Sequence, residues 1–334
     1  NESRFRVNMV NLERRQFLSI CITTYNRAEW LALSLKNLAR LMPAPIPGAE
    51  IVVCDNASTD HTPDIVKPYK GRSDFRYYRN PSNVGMLGNL RVTADHARGQ
   101  YVWILGDDDL IAPGAIETVL AAIYRHPDAA LIYLNYAYTR EEDAKRITDL
   151  DRFFAKATPI TKPTPDLVAP ISRLSTLSEN FFTAIYCLVF RRDHALRAYT
   201  QDTSGRPFST MLTCIPTTYH VLNNMMHEQG VWLGTPQLVV NMNVSWLKYA
   251  PLWILERIPE AFDLAEKMGA LHEEVDERRI AHLPNVWHWF GEIIKDDPEG
   301  NAAYFDIARF FSRFKHLREF QERTPELIEV YREA

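Results

Sequence analysis

The sequence predicts an α/β fold, a mostly parallel sheet with helices on both faces, followed by a C-terminal helical extension. Three observations carry this expectation. Between residues 17 and 126, short apolar runs alternate with stretches of helical periodicity, the pattern of a parallel sheet wound with helices. Three of those runs end in polar clusters, at 23–27, 55–60 and 107–109, which places the clusters together at one sheet edge. From Trp246 onward the patterning is helical and offers no strand candidate.

Taken in order, residues 1–16 are polar and charged and read as a lead-in. Phe17-Leu-Ser-Ile-Cys-Ile22 is a first buried strand, ending in Thr23-Thr-Tyr-Asn-Arg27. Apolar positions Trp30, Leu31, Leu35, Leu38 and Leu41 then mark a helix, broken by Pro43-Ala-Pro-Ile-Pro-Gly48. The second strand, Glu50-Ile-Val-Val-Cys54, runs into Asp55-Asn-Ala-Ser-Thr-Asp60, where Thr59 or Asp60 can cap the next helix. Phe75–Arg79 is a short third strand, and the turn Asn80–Gly85 opens a helix through Asn89 to Arg98-Gly99. The fourth strand, Tyr101–Leu105, stops at Gly106, and a helix runs from Pro113 to about His126. Beyond Pro127 lie strand-like runs at 130–138, 185–190 and 236–241, a charged, Pro-rich excursion at 139–170, and a helix over 208–229 broken near Pro216. The tail divides into helices at roughly 252–269, 271–295, 299–316 and 325–333. The expected domains are 1–126, 127–245 and 246–334.

With 334 residues the chain exceeds a single typical core. A net charge of -4 argues against a nucleic-acid partner, which calls for a basic excess. Cys21, Cys54, Cys187 and Cys214 are widely spaced, without a C-x-x-C pair, and favour a reducing compartment over disulfides or a cysteine zinc site. No apolar run approaches the roughly 20 residues that span a bilayer, and no secretory leader is read, so the expected place is the cytoplasm.

The chemistry concentrates in Gly106-Asp-Asp-Asp109. Adjacent carboxylates repel one another and are costly to bury without a cation, so three of them at a strand end suit a divalent metal. The alternative is a solvated turn that caps the following helix. Their alignment with the clusters at 23–27 and 55–60 favours the metal.

Four elements in this order resemble the nucleotide-sugar domain of family 2 glycosyltransferases with the GT-A fold: Thr23-Thr-Tyr-Asn-Arg27, Cys54-Asp-Asn-Ala-Ser-Thr-Asp60, Asn83-Val-Gly85 with Asn89, and Gly106-Asp-Asp-Asp109 with Pro113. The likeness is good over residues 17–125 and loosens toward 245. It implies transfer of a sugar from a nucleotide-diphosphate donor to a glycan or lipid-linked acceptor, with Mn²⁺ or Mg²⁺ stabilising the leaving diphosphate. The Leu-Gly-Asp-Asp-Asp variant is similar to transferases that build bacterial surface polysaccharides such as O-antigen, including deoxysugar-transferring ones of the abequosyltransferase type.

The resemblance assigns roles residue by residue. Asp108 is the principal metal ligand, with Asp109 beside it in a capping or supporting place and Asp107 toward ribose or metal. Asp55 takes the base or ribose, and Thr23, Tyr25, Arg27 and Asn89 complete the nucleotide-sugar site. Two departures stand out. Gly106 replaces the first acid of the family's Asp-x-Asp, and the Glu-Asp pair that supplies the general base in inverting members is absent. Its place reads Pro216-Thr-Thr-Tyr-His220, which makes His220 the candidate base, with Glu179 and Asp202 as substitutes. Phe310–Phe320 mixes aromatics with Arg313, Lys315, His316 and Arg318. It suits either peripheral binding to the inner face of the cytoplasmic membrane or, the favoured choice, packing against the catalytic domain or a dimer mate. Competing readings are a nucleotidyltransferase, disfavoured because Thr23–Arg27 has no glycine, and a non-catalytic sugar-nucleotide or glycan-binding module.

Overall fold

A computed structural model describes residues 17–242, 246–295 and 297–333; the lead-in read at 1–16 and the boundary expected at 245 fall outside them. The chain forms two compact units, one of residues up to Ala169 with Ala184–Thr200 and 228–242, the other of Pro170–Thr183, Gln201–His227 and the chain from 246.

Among the described residues the first unit holds a ten-stranded sheet, of which only Pro170 is counted with the second unit: β1 Leu18–Thr24, β2 Ala49–Asp55, β3 Phe75–Arg79, β4 Tyr101–Gly106, β5 Leu110–Ile111, β6 Leu131–Thr139, β7 Thr158–Pro159, β8 Leu167–Pro170, β9 Leu188–Arg191 and β10 Gln229–Asn241. Its order is β3-β2-β1-β4-β9-β6-β10-β5, with β7 on β6 and β8 on β10. The run β3-β2-β1-β4 is parallel. Buried on both faces, β1, β2 and β4 read as continuous apolar stretches rather than as alternation. Their connections carry α1 Ala28–Leu41, α2 Thr62–Val66 and α3 Gly85–His96, while α4 Ala115–Arg125, α5 Leu150–Lys156 and α6 Arg192–Tyr199 follow. All four cysteines are buried free thiols.

Three sequence expectations change here. The strand read from Ile185 begins only at Leu188, because Ile185–Cys187 is a 3₁₀ turn whose Tyr186 carbonyl accepts from the Trp103 indole at 2.8 Å. The last strand starts at Gln229 rather than Pro236 and passes Pro236 by register shifts on either side of it, the irregularity that lets a strand carry a proline. The excursion at 139–170 is anchored rather than loose: Ala144, Ile147 and Leu150 are buried in a cluster with Leu33 and Leu110.

In the second unit α7 is Pro216–Asn224, beginning at the proline instead of being broken by it, since proline fits the first helical turn. The tail is helical as expected: α8 Ile258–Lys267, α9 His272–Lys295, α10 Ile307–Phe314 and α11 Arg318–Glu333. Just before α8, Trp253–Arg257 is a π-turn; the Ile258 N–H bonds the Trp253 carbonyl, and the Ile254 carbonyl accepts from His282 at 2.8 Å. Phe310, Phe314 and Phe320 lie in this unit's own core with Leu283, Val286 and Phe290. The phenylalanines of the 310–320 stretch thus pack within the helical unit itself. No helix among the described residues is long and apolar enough to cross a membrane.

Candidate active site

Strand register fixes the site. Thr24 pairs with Asp55 and Thr23 with Gly106, so β1, β2 and β4 end side by side and release their polar turns into one place. After β1 the chain reverses at Asn26, whose φ of 52° is left-handed and tolerable for asparagine. The Asn26 N–H donates to Ser58 Oγ at 2.9 Å, and its Oδ1 accepts from the Thr59 N–H at 2.7 Å, tying the β1 and β2 turns together. Asp60 is a cap twice over: Oδ2 accepts from the Ala28 N–H that opens α1 and Oδ1 from the Thr62 N–H that opens α2, both at 3.0 Å.

The three acids after β4 take different environments. Asp107 is buried, accepts from Thr24 Oγ1 at 2.8 Å through Oδ2, and faces Arg27 Nε at 3.1 Å through Oδ1. Asp108 is the most open of them and receives Arg27 Nη2 at 2.6 Å. Asp109 turns inward, where its Oδ2 accepts from the Gly106 N–H at 2.8 Å. Burial pushes the Asp107 carboxyl up to about 7, with Asp108 adding to the rise and Arg27 and Thr24 opposing it. Burial and then Asp108 push Asp109 well above the carboxylate range. Gly106 has a steric reason. A Cβ there would stand 3.0 Å from Asp108 Oδ1 and 3.1 Å from Asp109 Oδ2, so any side chain at 106 requires those carboxylates to give by a few tenths of an ångström.

Asp55 is fully buried at the end of β2. Its Oδ1 accepts from the Ser58 N–H at 2.8 Å, and its Oδ2 accepts from the Tyr77 hydroxyl at 2.7 Å and lies 3.3 Å from Arg79 Nε. Burial and the Asp55 charge together raise the Tyr77 phenol. Thr23 donates to the Leu105 carbonyl at 3.3 Å, and Tyr25 is 42% exposed beside it in sequence. Asn89 is a strut: its Oδ1 accepts from Asn80 Nδ2 at 3.0 Å and its Nδ2 donates to the Cys54 carbonyl at 3.2 Å. Asn80 also donates to Asn56 Oδ1 at 3.0 Å, and Asn56 donates to Asn83 Oδ1 at 2.8 Å, which holds the 83–85 turn. His220 belongs to the second unit, buried on α7 with Asn224 Nδ2 3.3 Å from its Nδ1.

Sequence reasoning passed over Tyr77, Arg79 and Asn56. The signal was there, since Tyr77 and Arg79 stand two apart on β3 and share a face. It also missed Tyr186, whose phenol burial raises, with Tyr136 and Asp109 adding to the effect; reading 185–187 as strand hid it.

The donor set fits a hard divalent cation. Asp107 and Asp108 already converge on one positive group, the Arg27 guanidinium, and carboxylate oxygens are the ligands such cations prefer.

The sequence profile of Glycosyl transferase family 2 matches residues 19–194, more than half of the chain. The chain belongs to that family. The matched segment spans both strand-end clusters and the acidic triplet. It is 35% identical over 101 residues to the abequosyltransferase RfbV of Salmonella typhimurium, covering 30% of each chain. It is 30% identical over 115 residues to the poly(ribitol-phosphate) beta-N-acetylglucosaminyltransferase TarS of Staphylococcus aureus, covering 34% of this chain and 20% of that one. The alignments therefore span about a third or less of these curated relatives. In three dimensions the chain is similar to the crystal structure of S. aureus TarS 1-349 in complex with UDP-GlcNAc, with a TM-score of 0.61 at 17% identity over 95% of this chain and 89% of that one. That likeness shows the fold, GT-A, as the sequence predicts.

Proposed function

We propose that this chain transfers a sugar from a nucleotide-diphosphate donor to a hydroxyl of a glycan or lipid-linked acceptor in bacterial surface polysaccharide assembly. The observation that carries the proposal is the register of β1, β2 and β4, which sets Arg27, Asp55 and Asp107–Asp109 at one sheet edge.

In this reading Asp108, with Asp107 and Asp109 as its carboxylate neighbours, holds Mn²⁺ or Mg²⁺, which when bound neutralises charge developing on the diphosphate. Arg27, 40% exposed and held between two carboxylates, has the reach to exchange one of them for a phosphate oxygen. Thr24 orients Asp107 through its hydroxyl. Asp55 takes a ribose hydroxyl or a base N–H in exchange for the Tyr77 hydroxyl or Arg79, while Thr23 and Tyr25 border the nucleotide and Asn89 braces the turn behind it. For acceptor deprotonation the sequence candidate stays His220, which is buried in the second unit, with Glu179 and Asp202 as substitutes.

The test is a thermal-shift panel of UDP-, GDP-, CDP- and dTDP-sugars with and without Mn²⁺, because a ligand that binds the native state raises the melting temperature. One base should stabilise the protein in a metal-dependent way; no response to any would refute the proposal. The absent Glu-Asp pair supports a second reading, a binding module without activity. Donor hydrolysis or transfer in the presence of Mn²⁺ would exclude it.

A further inference from the structure

Away from the strand-end acids, the helical unit gathers a second set of ligating side chains. His272 opens α9, Asp276 lies one turn along the same face, and His316 comes from the turn between α10 and α11. Their ligating atoms all lie within 4.8 Å of one another. His272 Nε2 is 3.3 Å and His316 Nε2 3.0 Å from the same Asp276 oxygen, Oδ2. Ligands held about 2.0–2.1 Å from a tetrahedral zinc are about 3.3–3.4 Å apart, so these spacings are close to the edges of a zinc coordination polyhedron.

We propose that His272, Asp276 and His316 form a site for a divalent transition metal of the zinc type. The surrounding groups prepare two of the ligands for it. Glu266 Oε1 lies 2.5 Å from His272 Nδ1 and takes that N–H, which leaves the Nε2 lone pair facing Asp276. The other Asp276 oxygen, Oδ1, is occupied by Arg279 Nη1 at 2.6 Å, so Oδ2 is the one free to ligate. Arg279 is fixed in turn by Asp263 and Glu266, and Arg313 by Asp263 and Glu256. Through Arg257 the network also takes in Glu260. The site borders a polar cleft of about 520 Å³, which leaves room for a water or an anion as fourth ligand.

Ligand chemistry separates this site from the donor site. Two imidazoles and a carboxylate suit zinc, iron, nickel or copper, whereas an all-oxygen set at the acidic triplet suits magnesium or manganese. A zinc ion here would pin α9 to the α10–α11 turn and stabilise the helical unit.

The test is calorimetric titration of the purified full chain with ZnCl₂, and separately with CoCl₂ followed by its visible absorption. One zinc per chain should survive Asp108→Asn and weaken at least about tenfold in His272→Ala and in His316→Ala. Both imidazoles are substantially exposed, so these variants should keep the wild-type circular dichroism spectrum. Glu266→Gln, which retains an acceptor for Nδ1–H but loses the charge, should give an intermediate affinity. Zinc binding in the His272→Ala/His316→Ala double variant equal to wild type, or no saturable binding beyond the Asp108 site in wild type, would overturn the proposal.

Discussion

Asp108→Asn separates holding a donor from holding the fold. The folded protein loses one ion pair, 2.6 Å long but with its guanidinium partner 40% exposed, and pairs of that kind contribute about 0–1 kcal/mol. Against that loss, the substitution removes a like charge that raises both Asp107 and Asp109. Stability should therefore change by less than about 1 kcal/mol, a shift of no more than about 2–4 °C for a chain of this size. Metal affinity should respond far more. Replacing even an outer-shell partner costs about 10–100-fold, so loss of the most accessible carboxylate of the triplet should reach or exceed about 100-fold. The measurements are calorimetric titration with Mn²⁺ and thermal shift with the donor identified in the panel. A variant that keeps its melting temperature and loses both responses supports the assignment. Wild-type Mn²⁺ affinity and wild-type transfer in Asp108→Asn would refute it, and a variant that melts more than about 10 °C lower would show that the triplet is structural.

Gly106→Ala should place a methyl 3.0–3.1 Å from two carboxylate oxygens, displace the Asp108 and Asp109 side chains by a few tenths of an ångström and so weaken Mn²⁺ binding; calorimetry checks this, and wild-type Mn²⁺ affinity would refute it. His220→Ala should lower turnover by about 100-fold or more with donor affinity unchanged, as expected of a general base, and a normal turnover rate would remove His220 from that role. His282 gives a pH test of the helical unit. Burial holds it down at about 4 against an ordinary value near 6.5, although the Ile254 carbonyl opposes the shift. As pH falls below about 6.5 the unfolded chain takes up this proton first, so the stability present at neutral pH is lost progressively down to about 4. The loss between about pH 7 and pH 4.5 should be roughly 2–3 kcal/mol. Denaturant melts at the two pH values should show it in wild type and a much smaller slope in His282→Gln.

Much of the donor-side fold was legible because its information is local. Strands buried on both faces write themselves as unbroken apolar runs, and their polar ends follow directly in the chain, as Thr23–Arg27, Asp55–Asp60 and Asp107–Asp109 do. What failed lay where tertiary contacts override the local pattern. Ile185–Cys187 is as apolar as a strand, yet the Trp103 indole takes the Tyr186 carbonyl and the segment turns. Pro236 reads as the start of a strand, yet register shifts let β10 run through it from Gln229. The helix expected over 299–316 shrinks to Ile307–Phe314 because Asp306 caps it, accepting from the Arg309 N–H.

The same distinction separates the two candidate metal sites. Three adjacent aspartates announce themselves in one line of sequence, and only their division of labour needs coordinates. His272 and Asp276 also share a helix face visible from their spacing, but a pair of ligands is too few to hold an ion tightly. The third, His316, is 40 residues away from Asp276. It arrives only because Phe310, Phe314 and Phe320, flanking it on α10 and α11, are buried against Leu283, Val286 and Phe290 of α9. The aromatic-plus-basic stretch that first suggested a membrane surface is on this account a packing device. It spends its rings on the core of the helical unit, and one consequence of that packing is to carry a histidine to Asp276.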